Sequence, residues 1–230
     1  MSRIILIETS TSLTSTALVE DGAIVSYKES ETPRAQASLT APFIKEMLDD
    51  KGISAKECDA VCVSMGPGSY TGLRVGVSSA KGLCFGAGLP LIAVGTLDTL
   101  VWQAKDEGLV PEGCRFIVPM VDARRMEVYS AVFSPDGTRL TDTEAAIIDG
   151  SSYSEQLAQG KVLFIGDGAG KCADVINSGN AVFAQCCPKA SAMLHPALKE
   201  FEDGNFKDTA YFEPFYLKEF VATVSSKKLF

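Results

Sequence analysis

The sequence has few of the residues that metal-dependent and nucleophilic enzymes commonly use. It contains one histidine, His195, and no Cys-x-x-Cys pair among its 230 residues. Paired-histidine metal motifs are therefore excluded, and the seven cysteines do not have the spacing of a tetrahedral metal site. Because the cysteine count is odd and most of these residues lie in apolar runs, they indicate buried thiols in a reducing compartment. We expect no bound metal.

Basic residues are also scarce, with 21 Lys and Arg against 29 Asp and Glu, which gives a net charge of -8. A protein that holds a phosphate backbone by itself does so with Lys and Arg. If RNA is involved in the function, we therefore expect a partner to hold it.

Long hydrophobic runs are absent at the start of the chain, where only Ile4 to Ile7 form an apolar run. Four residues are too few for a signal sequence or a membrane span, so we expect a cytoplasmic protein with no membrane contact. Hydrophobic residues make up 46% of the chain and charged residues 22%, which is enough apolar material for a globular core.

Segments typical of strands alternate with helical periodicity twice along the chain. In the first half, an Asp21-Gly22 turn signal joins two apolar segments, and apolar residues recur at helical spacing from Leu39 to Leu48 and from Thr71 to Ala87. The second half contains the predicted strands 116–121, 127–133, 162–165 and 181–184 and a predicted helix over 190–201. The pattern predicts an α/β protein of two related lobes, 1–106 and 107–230, divided where Gly108, Pro111 and Gly113 cluster.

A glycine-rich segment, SMGPGSYTGLRVGVSSAKGL, runs from Ser64 to Leu83 and is the most informative part of the chain. A glycine-rich loop that opens a helix is able to hold an anion on its backbone N–H groups. The segment matches neither GxxxxGK[ST] nor GxGxxG, so its spacing favours close strand-to-helix packing over phosphate binding.

Gly72, Gly76 and Ala80 lie four residues apart in the predicted helix and would form one flat strip. A helix glycine costs about 1 kcal/mol relative to alanine, which indicates a packing purpose. By the residues alone, packing within the chain is favoured over packing against a partner.

Four separated segments together resemble the TsaB (YeaZ) family along the whole chain. They are ILIETSTS near the N-terminus, GPGSYTGLRVGVSSAKGL, VDARRMEVYSAVF at 121–133 and EPFYLK at 213–218. The resemblance implies a two-lobed ASKHA fold, the actin-like ATPase or RNase H-like fold. It also implies a non-catalytic paralogue of TsaD that works with TsaD and the ATPase TsaE to attach threonylcarbamoyl to adenosine in tRNA, with ATP used by the complex.

The resemblance further implies a helical face for pairing with TsaD or with a second copy of the chain. That implication reverses the preference for internal packing of the Gly72 and Gly76 strip. The implied interface residues are Leu39, Phe43, Met47, Gly72, Leu73, Val75, Gly76, Ser79, Ala80 and Leu83.

Nucleotide binding by this chain is at most vestigial under the same resemblance. The candidate residues are Glu8, Thr9, Ser10, Gly66, Gly68 and Ser69. The first loop has no glycine, and Glu8 stands where relatives more often have Asp, so we expect no cofactor bound by the chain itself.

The sequence thus favours a scaffold subunit without catalytic residues over a nucleotide-dependent phosphotransferase or ATPase of the same fold. A peptidase ranks last, because His195 is the only histidine available to activate a nucleophile. Arg124 and Arg125 would suit either an anion site or a solvated hairpin end, and the sequence leaves both open. The glycine-rich turn 166–170 is interpreted as a strand-end turn.

Overall fold

The frame of the protein is a pair of five-stranded sheets. The computed structural model describes residues 2–217, so Lys218 of the last motif lies outside the described residues. The first sheet contains β1 (Arg3–Glu8), β2 (Thr14–Glu20), β3 (Ala23–Ser30), β4 (Ala60–Gly66) and β5 (Leu91–Gly95). The second contains β6 (Cys114–Asp122), β7 (Glu127–Ser130), β8 (Glu144–Ile147), β9 (Lys161–Ile165) and β10 (Ala181–Ala184).

The two sheets have the same topology. Their strand orders are β3-β2-β1-β4-β5 and β8-β7-β6-β9-β10. In each, three antiparallel strands come first in sequence; a fourth strand then pairs in parallel with the first, and a fifth pairs in parallel with the fourth. This repeat confirms the predicted α/β architecture of two related lobes.

The hairpin predicted from Asp21-Gly22 joins β2 to β3. Both residues have positive φ, 49° and 77°, which is the backbone that tight hairpins require. The preceding β1 is an almost continuous buried run, and its neighbouring side chains point to opposite faces of the sheet.

Six α-helices accompany the sheets in the described residues. They are α1 (Gln36–Lys51), α2 (Tyr70–Ala87), α3 (Thr96–Asp106), α4 (Ser154–Gln159), α5 (Ala169–Ala173) and α6 (Leu194–Glu202). Ile5 and Ile7 of β1 pack with α1 and α2 on one face of the first sheet, and Ile4 and Leu6 pack with residues 190–201 on the other. Within residues 2–217, none of the helices has the length and apolar character needed to cross a bilayer.

Helical segments on each side of the predicted boundary between residues 106 and 107 pack against the sheet of the other lobe. The boundary itself stays a prediction. Leu97 and Leu100 of α3 belong to a core with Ile117 of the second sheet. Conversely, residues 190–201 cover the first sheet. Periodicity identifies these segments as helical, but it does not tell which of two similar sheets they cover.

The chain returns to the first lobe after α6 as an irregular segment with a turn at 209–211; we call residues 207–216 the C-terminal strap. The Lys207 N–H donates to the Leu91 carbonyl oxygen (2.8 Å), and the Phe215 N–H donates to the Met65 carbonyl oxygen (2.8 Å). Its contacts with α2 include hydrogen bonds from Lys81 Nζ to the carbonyl oxygens of Ala210 (3.0 Å) and Phe212 (3.2 Å) and stacking of Tyr216 on Tyr70. The first lobe is therefore completed by the end of the described chain.

Candidate functional site

The six residues predicted for nucleotide binding lie in two adjoining segments after β1 and at the end of β4. They are Glu8, Thr9, Ser10, Gly66, Gly68 and Ser69. The Ser69 N–H donates to the Ser10 carbonyl oxygen (2.7 Å), and a Cβ atom at Gly68 would overlap that same oxygen. The Ser69 hydroxyl accepts from the Gly72 N–H (3.3 Å) and so caps α2. Part of the helix terminus is therefore satisfied by the chain itself, and nucleotide binding here stays a prediction.

Thr9 fixes α2 against the first sheet through the glycine strip. Its Oγ1 donates to the Gly72 carbonyl oxygen (2.8 Å). A Cβ atom at Gly72 would overlap the Thr9 carbonyl oxygen, and one at Gly76 would overlap Thr9 Oγ1. The strip of Gly72 and Gly76 therefore faces the interior, which corrects the interpretation of it as a surface for a partner.

Glu8 is a fully buried carboxyl group at the end of β1. Its Oε1 accepts from the Ser10 N–H (2.6 Å), while Oε2 has no hydrogen-bond partner within residues 2–217. Burial raises the pKa of Glu8 to about 7, because a buried carboxylate loses its hydration. The hydroxyl oxygens of Ser10, Thr11 and Thr14 are likewise buried and unpartnered in the described chain. These polar groups of the first loop are thus closed to solvent.

An apolar groove of about 370 Å³ separates α1 from α2 on the outer side of the first lobe. Its lining is mainly aliphatic, contributed by Ala41, Ile44, Leu48, Ile53 and Leu83, with Ser79 beside them. Lys45 and Asp49 also line it and form an ion pair along α1. The groove is open to solvent and large enough for side chains of another helix.

The predicted interface residues divide into two groups of five. Partly exposed on this side of the lobe are Leu39, Phe43, Val75, Ser79 and Leu83. Buried inside the chain's own fold are Met47, Gly72, Leu73, Gly76 and Ala80. The buried five are wrong as direct contacts, because their side chains or backbone already pack against the first sheet and its loops.

The outward side of α2 carries residues that the sequence analysis missed. Gly82 and Gly86 are exposed within the helix, and a Cβ atom at either would meet no atom within 4 Å. Glycine lowers helix stability, and no contact in the described chain explains its presence at these positions. Their four-residue spacing repeats that of Gly72 and Gly76, so the signal was present in the sequence. Phe85, between them, is 90% exposed.

Other candidate residues are occupied by contacts within the chain. The His195 ring stacks on Trp102 at 4.4 Å, and its Nε2 lies 3.3 Å from Asp106 Oδ1. In the turn 166–170, the Gly170 N–H donates to Gln185 Oε1 (2.6 Å). These contacts give both features a structural role.

Comparison with known proteins identifies relatives over the whole chain. The family model described as tRNA N6-adenosine threonylcarbamoyltransferase, TsaD, matches residues 30–202. The tRNA threonylcarbamoyladenosine biosynthesis protein TsaB of Escherichia coli strain K12 is 31% identical over 227 residues, with 96% of each chain covered. The Bacillus subtilis strain 168 protein of the same name is 29% identical over 131 residues, covering 56% of this chain and 54% of the relative.

Solved structures show the same fold. A Pseudomonas aeruginosa protein described as similar to peptidase YEAZ has a TM-score of 0.83 at 25% identity, covering 95% of this chain and all of the other. A polyphosphate/ATP-glucomannokinase from Arthrobacter sp. strain KM has a TM-score of 0.50 at 10% identity, covering 88% of this chain and 100% of the other. The kinase supports the fold alone, and together with the repeated topology these neighbours confirm the two-lobed ASKHA fold.

Alanine substitutions at two glycines of α2 should have opposite effects on stability. Gly72→Ala should destabilise the chain by roughly 2 kcal/mol, because its methyl group meets the Thr9 backbone. Gly82→Ala, in open space on the same helix, should stabilise it by about 1 kcal/mol. Urea unfolding of both variants measures the difference. Equal effects would show that the strip does not pack against Thr9.

Glu8→Gln should remove a pH dependence of stability. The folded pKa of about 7 exceeds the unfolded value near 4.5, so the wild type should lose stability as pH rises through that interval. The expected loss is roughly 3 kcal/mol. Glutamine keeps an oxygen for the Ser10 N–H and does not ionise. The free energy of unfolding of the variant, relative to that of the wild type, should therefore rise by that amount between pH 5 and pH 8. Parallel stability profiles in urea unfolding would contradict the assignment.

Proposed function

The chain belongs to the TsaB family of tRNA threonylcarbamoyladenosine biosynthesis, and on that premise we propose that it is the non-catalytic partner subunit of a TsaD-like transferase. The observation that carries the proposal is the apolar groove between α1 and α2, flanked by the exposed glycines of α2. Grooves of this kind accept the apolar face of a helix from another chain. The subunit would act by presenting this face.

The exposed glycines explain how a partner helix would approach closely. Interaxial distances between packed helices depend on the side chains at the contact, and glycine permits the shortest ones. Gly82 and Gly86 lie within one helical turn of the groove residues Ser79 and Leu83. Groove and glycines together form one continuous surface, which we call the helical face.

A TsaD-like partner fits this face because the transferase family model covers both helices. The match over residues 30–202 includes α1 and α2, so a transferase of that family would have equivalent helices. Two related faces pair with approximate twofold symmetry, as in isologous interfaces. A second copy of this chain would use the same face, so the homodimer and the heterodimer would compete.

Several chemical features support a non-catalytic role. The ring of His195 stacks on Trp102, and the Glu8 carboxyl group is buried. Burial raises the pKa of the Cys58 and Cys84 thiols to about 11, whereas nucleophilic thiols have a lowered pKa. We propose that catalysis belongs to the TsaD-like subunit and ATP hydrolysis to a TsaE-like ATPase, with no cofactor held by this chain.

Substitutions at Gly82 should separate docking from folding. Gly82→Arg places a long side chain on the helical face in open space, so the lone chain should fold and be at least as stable as wild type. Its affinity for the TsaD-like partner should fall by roughly 30-fold or more, because the close helix approach is blocked. Light scattering of mixtures, with calorimetric titration, measures both complex size and affinity.

Two control variants accompany this test. Gly82→Ala should retain association, and so should Ile147→Arg, which adds the same side chain at an exposed position of β8. If Gly82→Arg associates like wild type, the partner uses another surface. If the wild type does not associate and the lone chain hydrolyses ATP, the scaffold proposal fails in favour of an active ATPase of this fold.

A further inference from the structure

The turn between β6 and β7 carries two arginines in an unfavourable backbone conformation. Arg124 and Arg125 have φ of 72° and 51°, a region that side chains other than Gly, Asn and Asp adopt at a cost. Asn and Gly adopt positive φ at a lower cost than Arg does. The sequence places two long cationic side chains there instead.

Lys171 of α5 stabilises the turn through hydrogen bonds and an ion pair. Lys171 Nζ donates to the carbonyl oxygens of Arg125 and Glu127, each at 2.7 Å, and forms an ion pair with the Asp122 carboxylate. Asp122 Oδ1 also accepts from the Arg124 N–H (2.9 Å). These bonds hold the backbone in its unfavourable conformation, and Lys171 neutralises the carboxylate next to the arginines.

Both arginine side chains are exposed and have no partner in the described part of the chain. Arg124 and Arg125 are exposed, and neither guanidinium makes a hydrogen bond or ion pair within residues 2–217. The turn follows the carboxyl end of β6, which is parallel to β9, and ligands of α/β sheets commonly bind at this edge. Unfavourable backbone that is rigidly supported and presents unpaired groups is typical of a contact site.

We propose that Arg124 and Arg125 contact phosphate groups of the RNA substrate when this chain is part of its complex, an inference that rests on the proposed function. Guanidinium forks match phosphate oxygens, and a projecting turn suits an extended backbone better than a small ligand that needs enclosure. The net charge of -8 makes the lone chain a weak RNA binder, so the contact adds to RNA binding by the assembled subunits. The chain then contributes to RNA contact directly as well as through its partner.

The double variant Arg124→Asn, Arg125→Gly tests the contact without endangering the fold. Asn and Gly adopt positive φ at a lower cost than Arg does, so the melting temperature of the chain should stay equal or rise. The complex with the TsaD-like partner should bind unmodified tRNA about tenfold more weakly. The plot of log affinity against log salt concentration should also be less steep, by the equivalent of about one to two phosphate contacts. Fluorescence anisotropy over a salt series measures both quantities.

The matched control is the double variant Arg115→Gln, Lys161→Gln. It also removes two positive charges, but at the opposite edge of the second sheet, where β6 and β9 begin. Its tRNA affinity should stay close to that of the wild type. Equal affinity and salt slope for the Asn-Gly variant and wild type would overturn the inference. So would weakened association with the TsaD-like partner at unchanged RNA affinity per complex, because the turn would then contact protein. A wild-type chain that forms no complex would overturn the proposed function itself, and this inference with it.

Discussion

The contact between Thr9 and the glycine side of α2 determines the geometry of the first lobe's outer surface. Because Gly72 and Gly76 have no side chains, the helix lies directly against the loop after β1, and Thr9 bonds to its backbone. That contact sets the rotation of α2 about its axis. The rotation in turn decides that Gly82 and Gly86 face outward and that a groove remains beside α1. The helical face is therefore a consequence of packing on the opposite side of the same helix.

This dependence explains which features the sequence predicted and which it did not. Alternation, turn residues and helical periodicity located most strands and helices, because these are local properties of the chain, but the short elements β8, α4 and α5 were not predicted. The pairs Gly72–Gly76 and Gly82–Gly86 have identical spacing, and only the position of Thr9 tells which pair is internal. Met47 lies on the apolar stripe of α1, but periodicity cannot show whether a stripe faces the core or a partner.

The two proposed contact regions lie on different sheets and differ in chemistry. The helical face of the first lobe has an apolar groove at its centre, whereas the arginine turn on the second sheet is cationic and exposed. The sequence left Arg124 and Arg125 undecided because the turn that exposes them is stabilised by hydrogen bonds from Lys171, a residue distant in sequence. An acidic chain is thereby able to offer a basic contact at one point.

The C-terminal strap and the helical segment before it also bear on how the protein is made. One face of the first sheet stays uncovered until residues 190–201 have emerged from the ribosome, and the strap follows even later. Domains usually fold in the order of synthesis, as each is completed. Here the lobe that is translated first is the one finished last, so its apolar face must remain shielded or dynamic while the second lobe is being synthesised.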